Sequence, residues 1–370
     1  MSRKKILLVI DHLNVGGAQR QMTFLAKELS KEFDVHLFLF HDKTSFLEKE
    51  LNDAGVIITK ILKKSKYDLF FILKFLKFVR KSNFDISISF LETPNFYNEF
   101  AKLFRCVPRV IVGERSAYFK KDLTFKIKIL EKFHSFADLI VTNSISQKDR
   151  MNNFFPKHST KRVYIPNGYS FQNSNVSTIK ENDKFSFIVL SNTNIYKNPL
   201  KLCEALISYK NRFGAPNFVI NWYGRISSVP KDKQIMKTCI DLLESHSLEK
   251  VLFFQGVISD VYNKITQSDA LIHLSDFEGC PNGVCEAMLL KKPVILSNVC
   301  DHPLLVSNDN GILVDQSSPK EISNAMSEII NLPTRILLEM GARGSQFIAE
   351  RMNDQTVTNI WKELIIKTIN

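Results

Sequence analysis

The sequence contains no apolar run of the roughly 18 residues that a membrane-spanning helix requires, so we expect no integral membrane protein. Its first apolar stretch, Ile6–Ile10, ends at Asp11 and is too short for a secretory signal, so we expect no export. Glycine and proline are scarce, with 13 and 12 among 370 residues, which argues against a disordered or fibrous chain. The six cysteines form no CxxC pair and no zinc-site spacing with histidine, which indicates reduced thiols in a cytosolic core.

Positive charge is concentrated in the first half of the chain. Residues 1–170 carry 30 Lys and Arg against 17 Asp and Glu, a formal charge of +13, whereas residues 171–370 carry 20 against 21. Such asymmetry predicts that the first half faces an anionic partner.

Short β-rich runs alternate with helical segments along both halves, and the tail from Pro319 is helical. Strands that are apolar almost throughout, separated by helices, predict parallel sheets covered on both faces. The predicted strands are Ile6–Ile10, Val35–Phe40, Ile86–Phe90, Arg109–Val112, Leu139–Thr142, Arg162–Ile165, Phe185–Leu190, Phe218–Tyr223, Val251–Phe254, Ala270–Leu274 and Pro293–Leu296.

An Asn- and Ser-rich stretch interrupts this alternation between the two halves and predicts a linker. The predicted fold is therefore α/β, with two Rossmann-like, doubly wound parallel-sheet domains that face a cleft. We place the N-terminal domain at 1–170, the linker at 171–183, the C-terminal domain at 184–350 and a last helix, packing back on the first domain, at 351–370.

The most specific motif runs from Ser275 to Met288, directly after a predicted strand. Its Glu278 and Glu286 stand eight residues apart around the turn GCPNG, and Glu286 is expected in the first turn of the next helix. Backbone N–H groups beside a helix N-terminus favour a phosphate, whereas two carboxylates suit the hydroxyl groups of a sugar and a ribose. The alternative interpretation is a capped helix with solvated acids.

Two further loops follow the first strand of each half. Gly16 and Gly17 open a helix and allow close backbone approach to an anion or a sugar, although they do not form a GxGxxG fingerprint. Lys197 precedes a helix that Pro199 begins, where it could contact a diphosphate. The alternatives are a simple tight turn and a solvated lysine. No D-x-D motif occurs, and we predict no metal site.

Together these motifs resemble glycosyltransferase family 4, the retaining enzymes of GT-B fold. The E-x7-E motif of that family is met by Glu278 and Glu286 in FEGCPNGVCEAM, and its glycine loop by GGAQR. The stretch VIVGERSAYF at 110–119 is similar to a subgroup that builds bacterial cell-surface polysaccharides. The resemblance covers most of the chain and is most specific in residues 185–315.

The resemblance implies a role for each matched residue. Glu286 would bind the ribose hydroxyls of the nucleotide, and Glu278 the hydroxyls of the donor sugar. Lys197 would neutralise the leaving diphosphate, Gly16 and Gly17 would approach the donor, and Glu114 with Arg115 would face the acceptor or the donor sugar. Backbone N–H groups would hold the distal phosphate and the sugar along the segment Gly279, Cys280, Pro281, Asn282, Gly283 and Val284. The predicted catalytic residues are Glu278, Lys197 and Glu114.

The chain departs from the family pattern beside this lysine. Where the family usually has Gly-Arg, the sequence has Ser191-Asn192, so Lys197 is predicted to carry the diphosphate charge nearly alone. We propose Arg225, in the loop after the strand that ends at Tyr223, as a substitute cation. Leu305 also stands where the family often has an acidic residue.

The function implied by the resemblance is transfer of a sugar from a nucleotide-sugar donor, such as a UDP- or GDP-sugar, to a saccharide or lipid-linked acceptor. The resemblance also implies that the anomeric configuration is retained, that no metal or other cofactor takes part, and that the product belongs to a capsule, a lipopolysaccharide or another cell-surface polysaccharide. The alternative is a non-catalytic sugar-nucleotide or glycan-binding protein of the same fold. A nicotinamide oxidoreductase is disfavoured, because GGAQR lacks the third glycine of the fingerprint.

The helix predicted at Asp68–Lys81 combines lysines with aromatic residues on one face. At 100° per residue, its apolar face comprises Ile72, Phe75, Leu76, Val79 and Leu69. The opposite face comprises Lys74, Lys77, Lys81 and Phe70, with Phe71 and Phe78 beside them. Such a face suits an anionic membrane surface, so we expect a cytoplasmic protein, peripheral on the inner face of the plasma membrane. The alternative is a solvated face; nucleic acid is disfavoured, because no binding motif for it is visible.

Overall fold

A computed structural model of the chain describes residues 3–14, 16–41, 46–65, 68–115, 124–170, 184–307 and 309–370. These residues form two compact units. The first contains the described residues up to Ser170 together with Met352–Asn370, and the second those from Lys184 to Arg351. The linker predicted at 171–183 lies outside the described residues. Within the residues that the structure describes, no helix has both the length and the apolar character needed to cross a membrane.

The first unit contains a seven-stranded parallel sheet in the order β3-β2-β1-β4-β5-β6-β7. Its strands are β1 (Lys5–Ile10), β2 (Asp34–Leu39), β3 (Ile57–Lys60), β4 (Ile86–Phe90), β5 (Val110–Glu114), β6 (Leu139–Thr142) and β7 (Arg162–Tyr164). Its helices are α1 (Gly17–Ser30), α2 (Phe46–Asp53), α3 (Leu69–Ser82), α4 (Glu92–Leu103), α5 (Phe125–Phe133), α6 (Ile145–Phe154) and, from the far end of the sequence, α14 (Asp354–Ile369).

Two apolar layers cover the two faces of this sheet. In one layer α1 packs with α14, whose Val357, Trp361 and Ile365 join the core and whose tryptophan ring lies 6.0 Å from that of Phe90. In the other layer α3 and α4 pack on the alternate residues of β1 and β2. Because β1 lies inside the sheet under both layers, all its residues from Ile6 to Ile10 are buried.

The buried stripe of α3 differs from the predicted one. Phe71, Phe75 and Val79 are buried, whereas Leu69 is 72% exposed. The prediction that Leu69 belongs to the apolar face was wrong, because Leu69 lies about 120° around the helix from the centre of the buried stripe. Phe70 is 78% and Leu73 64% exposed. Phe70 and Leu73, like Leu69, therefore lie on the face that carries the lysines.

The second unit contains a six-stranded parallel sheet in the order β10-β9-β8-β11-β12-β13. Its strands are β8 (Phe185–Leu190), β9 (Phe218–Tyr223), β10 (Leu252–Gly256), β11 (Ala270–His273), β12 (Val294–Ser297) and β13 (Gly311–Val314). Its helices are α7 (Pro199–Phe213), α8 (Pro230–Ser245), α9 (Val261–Thr266), α10 (Asn282–Leu289), α11 (His302–Leu305), α12 (Pro319–Asn331) and α13 (Thr334–Arg351).

Candidate active site

The switch point of the second sheet brings two of the predicted loops together. Strands β8 and β11 are neighbours in the sheet although far apart in the sequence, and ligands bind at the carboxyl ends of such strands. The loop after β8 carries Lys197 in a short 3-10 turn, and the loop after β11 carries Glu278. The fold therefore explains how residues some eighty positions apart share one site.

Hydrogen bonds between the two loops fix their geometry. The backbone N–H of Asp276 donates to the carbonyl of Tyr196 over 3.0 Å, and the Asp276 carboxylate accepts from the Asn198 amide over 2.9 Å. The hydroxyl of Ser275 donates to the same Tyr196 carbonyl over 3.2 Å. These contacts flank Lys197 and Glu278, so the backbone positions of both residues are set before any ligand binds.

Lys197 and Glu278 form an ion pair through Nζ and Oε1. The same oxygen accepts a hydrogen bond from His273 Nε2 over 2.7 Å. Burial, followed by the charge of Lys197, lowers the pKa of His273 well below its usual range, so the ring is a neutral N–H donor. Burial also lowers the pKa of Lys197 to about 8. In the chain alone, two of the predicted catalytic side chains thus neutralise each other.

Helix α10, which follows the loop that carries Glu278, contains Glu286. The helix begins at Asn282, directly after Pro281, so Glu286 is its fifth residue and lies in the second turn rather than in the predicted first turn. Glu286 is 4% exposed. A Cβ at Gly283 would stand 2.8 Å from Leu190 Cβ, so glycine is required for α10 to begin against the end of β8. The turn between Glu278 and Glu286 therefore lies at the switch point.

Asn192, which stands where the family has arginine, and Arg225, which was proposed as the substitute cation, are neighbours. The Asn192 side-chain oxygen accepts a hydrogen bond from the Arg225 backbone N–H over 3.0 Å, and the Arg225 carbonyl accepts one from Thr193 over 3.0 Å. Both Asn192 and Arg225 are exposed. The structure brings these two positions together, and a contact of either side chain with a diphosphate remains a prediction.

Cysteines surround the E-x7-E turn. The Sγ atoms of Cys280 and Cys285 lie 3.8 Å apart, and the Glu278 backbone N–H donates to Cys300 Sγ over 3.4 Å. All six cysteines lie in the described residues, and none of them forms a disulfide bond.

In the first unit, the predicted glycine loop follows β1 at the corresponding switch point, where β1 and β4 are neighbours. Gly16 is the N-cap of α1 in an extended conformation, and its carbonyl accepts a hydrogen bond from Arg20 over 3.0 Å. Gly17 is the first residue of the helix. The cap supplies no side-chain hydrogen bond, so the first N–H groups of α1 are left without a side-chain cap.

Glu114, the third predicted catalytic residue, ends β5 and belongs to a buried polar network. Its Oε1 accepts from Arg162 Nη2 over 3.3 Å and lies 3.5 Å from His134 Nε2. Arg162 also donates to Glu131, and His134 Nδ1 donates to Glu99 over 2.5 Å. Arg115, the neighbour in the same motif, stacks with its guanidinium 3.7 Å from the centre of the Phe90 ring.

The charges of this network are nearly balanced. Burial would lower the pKa of His134, but the carboxylates of Glu99 and Glu114 raise it to about 10. Burial would likewise raise the pKa of Glu114, but the hydrogen bond from His134 and the charge of Arg162 lower it. Burial raises the pKa of Glu99. Glu114 is therefore ionised next to two cations.

Three groups of this network have metal-ligand character. Single atoms of Glu114, Glu131 and His134 all lie within 4.8 Å of one another. However, the Arg162 guanidinium already bridges the two carboxylates, and the imidazole holds a proton. A cation in this place would have to displace both positive groups, so the donor set fits a divalent metal poorly.

The sequence pattern did not identify most of these neighbours. His273 stands two residues before Ser275, and a histidine within an otherwise apolar strand was the available signal. Glu99, Glu131 and His134 lie in or directly after helices, where single polar residues are usually solvated. Their contact with Glu114 depends on which helices cover β5.

Two family models match adjacent parts of the chain. Residues 15–172 match the model described as Glycosyltransferase Family 4, and residues 170–346 match the model described as Glycosyl transferases group 1. The boundary between the two matches lies at residues 170–172, where the first unit's first segment ends.

Curated relatives cover most of the chain. The Staphylococcus aureus capsular polysaccharide biosynthesis glycosyltransferase CapH is 26% identical over 80% of this chain and 81% of its own length. The Campylobacter jejuni N-acetylgalactosamine-N,N'-diacetylbacillosaminyl-diphospho-undecaprenol 4-alpha-N-acetylgalactosaminyltransferase is 23% identical over 88% of this chain and 90% of its own length.

A solved structure has the same fold. Anabaena HepE, crystallised in complex with UDP and glucose, superposes with a TM-score of 0.84 over 98% of this chain and 100% of its own, at 16% identity. At this identity the likeness concerns the fold alone, and it confirms the predicted GT-B architecture of two parallel-sheet α/β domains.

Proposed function

Since the chain belongs to glycosyltransferase family 4 and carries a group 1 glycosyl transferase domain in its second half, we propose that it transfers a sugar from a nucleotide-sugar donor to a lipid-linked saccharide. One observation carries the proposal. Lys197 and Glu278 meet at the switch point of the second sheet, with Glu286 in the helix that follows the same turn. One cation and two carboxylates match a diphosphate, a donor sugar and a ribose.

Donor binding replaces the ion pair of the free chain. Lys197 exchanges the Glu278 carboxylate for the donor diphosphate, which carries more negative charge. Glu278 then accepts hydrogen bonds from sugar hydroxyls, while His273 continues to hold its Oε1. After the exchange the Lys197 ammonium is paired with the diphosphate, and the Glu278 carboxylate keeps hydrogen-bond donors from His273 and the sugar, so neither buried group is left without a partner.

The proposed reaction proceeds with retention and without a metal. The bond between the anomeric carbon and the diphosphate oxygen breaks, and a bond from the same carbon to an acceptor oxygen forms. The proton of the acceptor hydroxyl passes to the departing diphosphate. Negative charge grows on that diphosphate in the transition state, where the preorganised Lys197 and the start of α10 stabilise it.

The relatives support the kind of acceptor. One is named for capsular polysaccharide synthesis, and another for transfer to a diphospho-undecaprenol saccharide. HepE was crystallised with UDP and glucose, which supports a nucleotide-sugar donor. We therefore place the reaction in the synthesis of a cell-surface polysaccharide.

The donor site is tested with purified protein and a panel of UDP- and GDP-sugars. A bound donor raises the thermal midpoint of the wild type by mass action. Each hydrogen bond of a carboxylate to a ribose hydroxyl contributes about 1.5–3 kcal/mol. Glu286→Ala therefore lowers the affinity for the donor by at least about tenfold. Glu328→Ala, on the exposed side of α12, is the matched control and binds like the wild type.

Transfer is tested with the donor found in this panel and a lipid-linked saccharide, with product detected by mass spectrometry and its anomeric configuration by NMR. A product with inverted configuration contradicts the proposed course of the reaction. Donor binding with neither transfer nor hydrolysis would identify a sugar-nucleotide-binding protein instead. Equal donor affinity of Glu286→Ala and the wild type refutes the donor site.

A membrane-facing surface on α3 would give access to such an acceptor. The helix exposes Leu69, Phe70 and Leu73 beside lysines at 74, 77 and 81. Exposed apolar side chains insert at the headgroup boundary, and each lysine near an anionic surface adds on the order of 1 kcal/mol. This combination supports a peripheral location at the inner face of the plasma membrane.

Vesicle sedimentation tests this surface. The wild type binds vesicles that contain anionic lipid and is released at high salt, because the attraction is screened. Replacing Lys74, Lys77 and Lys81 with Glu abolishes binding. The matched control replaces three exposed lysines of α8 in the second unit, Lys231, Lys233 and Lys237, and still sediments. If the α3 triple variant sediments like the control, another surface binds the membrane.

A further inference from the structure

A small cavity lies in the first unit beside the carboxyl ends of β4 and β5. Its volume is about 40 Å³, and Glu114 lines it together with the apolar side chains of Leu91, Ile127, Leu130 and Met151. At about 10–15 Å³ for each water-sized group, this volume accommodates about three or four such groups. Arg115, Glu131 and His134 also line it, so the cavity has a polar side with charges of both signs and an apolar side. Its volume matches a substituent rather than a whole sugar ring.

The two carboxylate oxygens of Glu114 differ in their contacts with the described residues. Arg162 and His134 both approach Oε1. Oε2 is buried and accepts no hydrogen bond from any described residue, and the whole residue is only 8% exposed. A buried carboxylate oxygen requires a donor, so the structure presents an acceptor atom whose partner must be an N–H or O–H of a bound molecule or water.

The size, charge and polarity of the cavity select among sugar substituents. A phosphate or carboxylate offers only acceptor oxygens, whereas Glu114 Oε2 requires a donor. A hydroxyl group supplies an O–H donor, but it contains a single non-hydrogen atom. It would therefore leave most of the cavity to water. An acetamido group supplies an N–H donor and a methyl group in four non-hydrogen atoms. Its methyl group would contact the apolar walls while its N–H reaches Glu114.

We propose that this cavity binds the acetamido group of a 2-acetamido sugar at the reacting end of the acceptor, with Glu114 Oε2 accepting its N–H. The inference rests on the proposed function for the identity of the ligand as a saccharide acceptor. It assigns Glu114 to acceptor recognition, and it assigns Arg162 and His134 to positioning the carboxylate.

Ligand-observed NMR titration tests this with four probes, the methyl glycosides of N-acetylglucosamine, N-acetylgalactosamine, glucose and galactose. The wild type is expected to bind one or both acetamido glycosides at least tenfold more tightly than the matching hydroxyl glycosides. Binding that is equal for the two classes shows that water alone fills the cavity and overturns the inference. So does the absence of binding by both acetamido glycosides at their highest soluble concentration.

Two variants connect the preference to the cavity. Glu114→Gln removes the charge that accepts the N–H, and Ile127→Phe fills the space while every residue of the buried network is kept. Each variant is expected to reduce the ratio of the affinities for the acetamido and the hydroxyl glycosides to less than threefold. Ile129→Phe is the matched control, because this residue lies on the same helix and does not line the cavity. A preference that survives in both Glu114→Gln and Ile127→Phe overturns the inference.

UDP-sugar binding, measured on the same samples, separates this inference from the proposed function. Donor binding without an acetamido preference refutes the inference and leaves the transferase proposal standing. An acetamido preference without donor binding refutes the transferase proposal and leaves the assignment of the cavity standing. Adding the nucleotide sugar also distinguishes the two sources of an acetamido group. Competition between a UDP-N-acetylhexosamine and the methyl glycoside, weakened by Glu286→Ala, would show that the cavity holds the donor sugar instead of the acceptor and would overturn the assignment.

Discussion

Raising the pH from 7 to 9 is expected to destabilise the first unit through a single histidine. His134 is buried between Glu99 and Glu114, which raise its pKa to about 10 in the folded chain, against an ordinary value of about 6.5. The folded unit therefore holds a proton that the unfolded chain releases. The resulting stabilisation is complete below pH 6.5 and is lost as the pH rises towards 10.

The magnitude follows from the two pKa values. Each unit of difference corresponds to about 1.36 kcal/mol, so this histidine contributes about 4 kcal/mol at pH 7 and about 1 kcal/mol at pH 9. The free energy of unfolding of the first unit should thus fall by about 2–3 kcal/mol over this interval. Lys197, whose pKa lies at about 8, titrates in the same range but belongs to the second unit.

The two tryptophans of the chain allow the units to be measured separately. Trp361 is buried in the first unit and Trp222 in the second. In a Trp222→Phe background, urea unfolding followed by fluorescence reports the first unit at pH 7, 8 and 9. His134→Gln removes the proton and should flatten the pH dependence, whereas His246→Gln in the second unit should leave it unchanged. A slope that persists in His134→Gln, or its absence in the parent, refutes the reasoning.

Further expectations concern the second unit. Gly341→Ala places a Cβ against the backbone carbonyl of Lys291 and should destabilise this unit by about 1–3 kcal/mol. Gly344→Ala, on the same helix with its nearest neighbour at 3.7 Å, should be neutral or stabilising by up to about 1 kcal/mol in the same urea experiment; equal effects of the two would contradict the packing argument. Lys197→Ala should reduce turnover by about two orders of magnitude or more, and near wild-type turnover would remove this lysine from the mechanism. Asn192→Arg should raise donor affinity in the thermal-shift assay if the position faces the diphosphate, and unchanged affinity places it elsewhere.

The central strands were predictable because burial on both faces leaves a continuous apolar run. Strands β4, β6, β8 and β9 have the predicted bounds. Strand β3 was not predicted, since it lies at a sheet edge and none of its residues, IITK, is buried. Strand β13 is also an edge strand, begins with glycine and has three half-buried residues of four. An edge strand is covered less completely, so its sequence carries a weaker apolar signal.

The same distinction applies to the site. Glu278 and Glu286 were predictable together because one loop and one helix carry both, and Lys197 because it precedes a proline-initiated helix. The network around Glu114 draws on α4, β5, α5, the residue after α5 and β7. Its formation depends on which strands are neighbours and which helices cover them, and no local pattern in the sequence encodes that. The cavity beside Glu114 is a property of the same packing and was equally invisible.

The position of α14 has a consequence for synthesis of the protein. Val357, Trp361 and Ile365 complete the core of the first unit, but the ribosome reaches them only after the whole second unit. At about 5–20 residues per second, the nascent first unit waits on the order of 10–40 s for its last helix. During this time the apolar side of α1 that α14 later covers is exposed to water, and exposed apolar surface of this kind makes a partly folded chain prone to aggregation. A chain interrupted before Trp361 would expose that surface permanently.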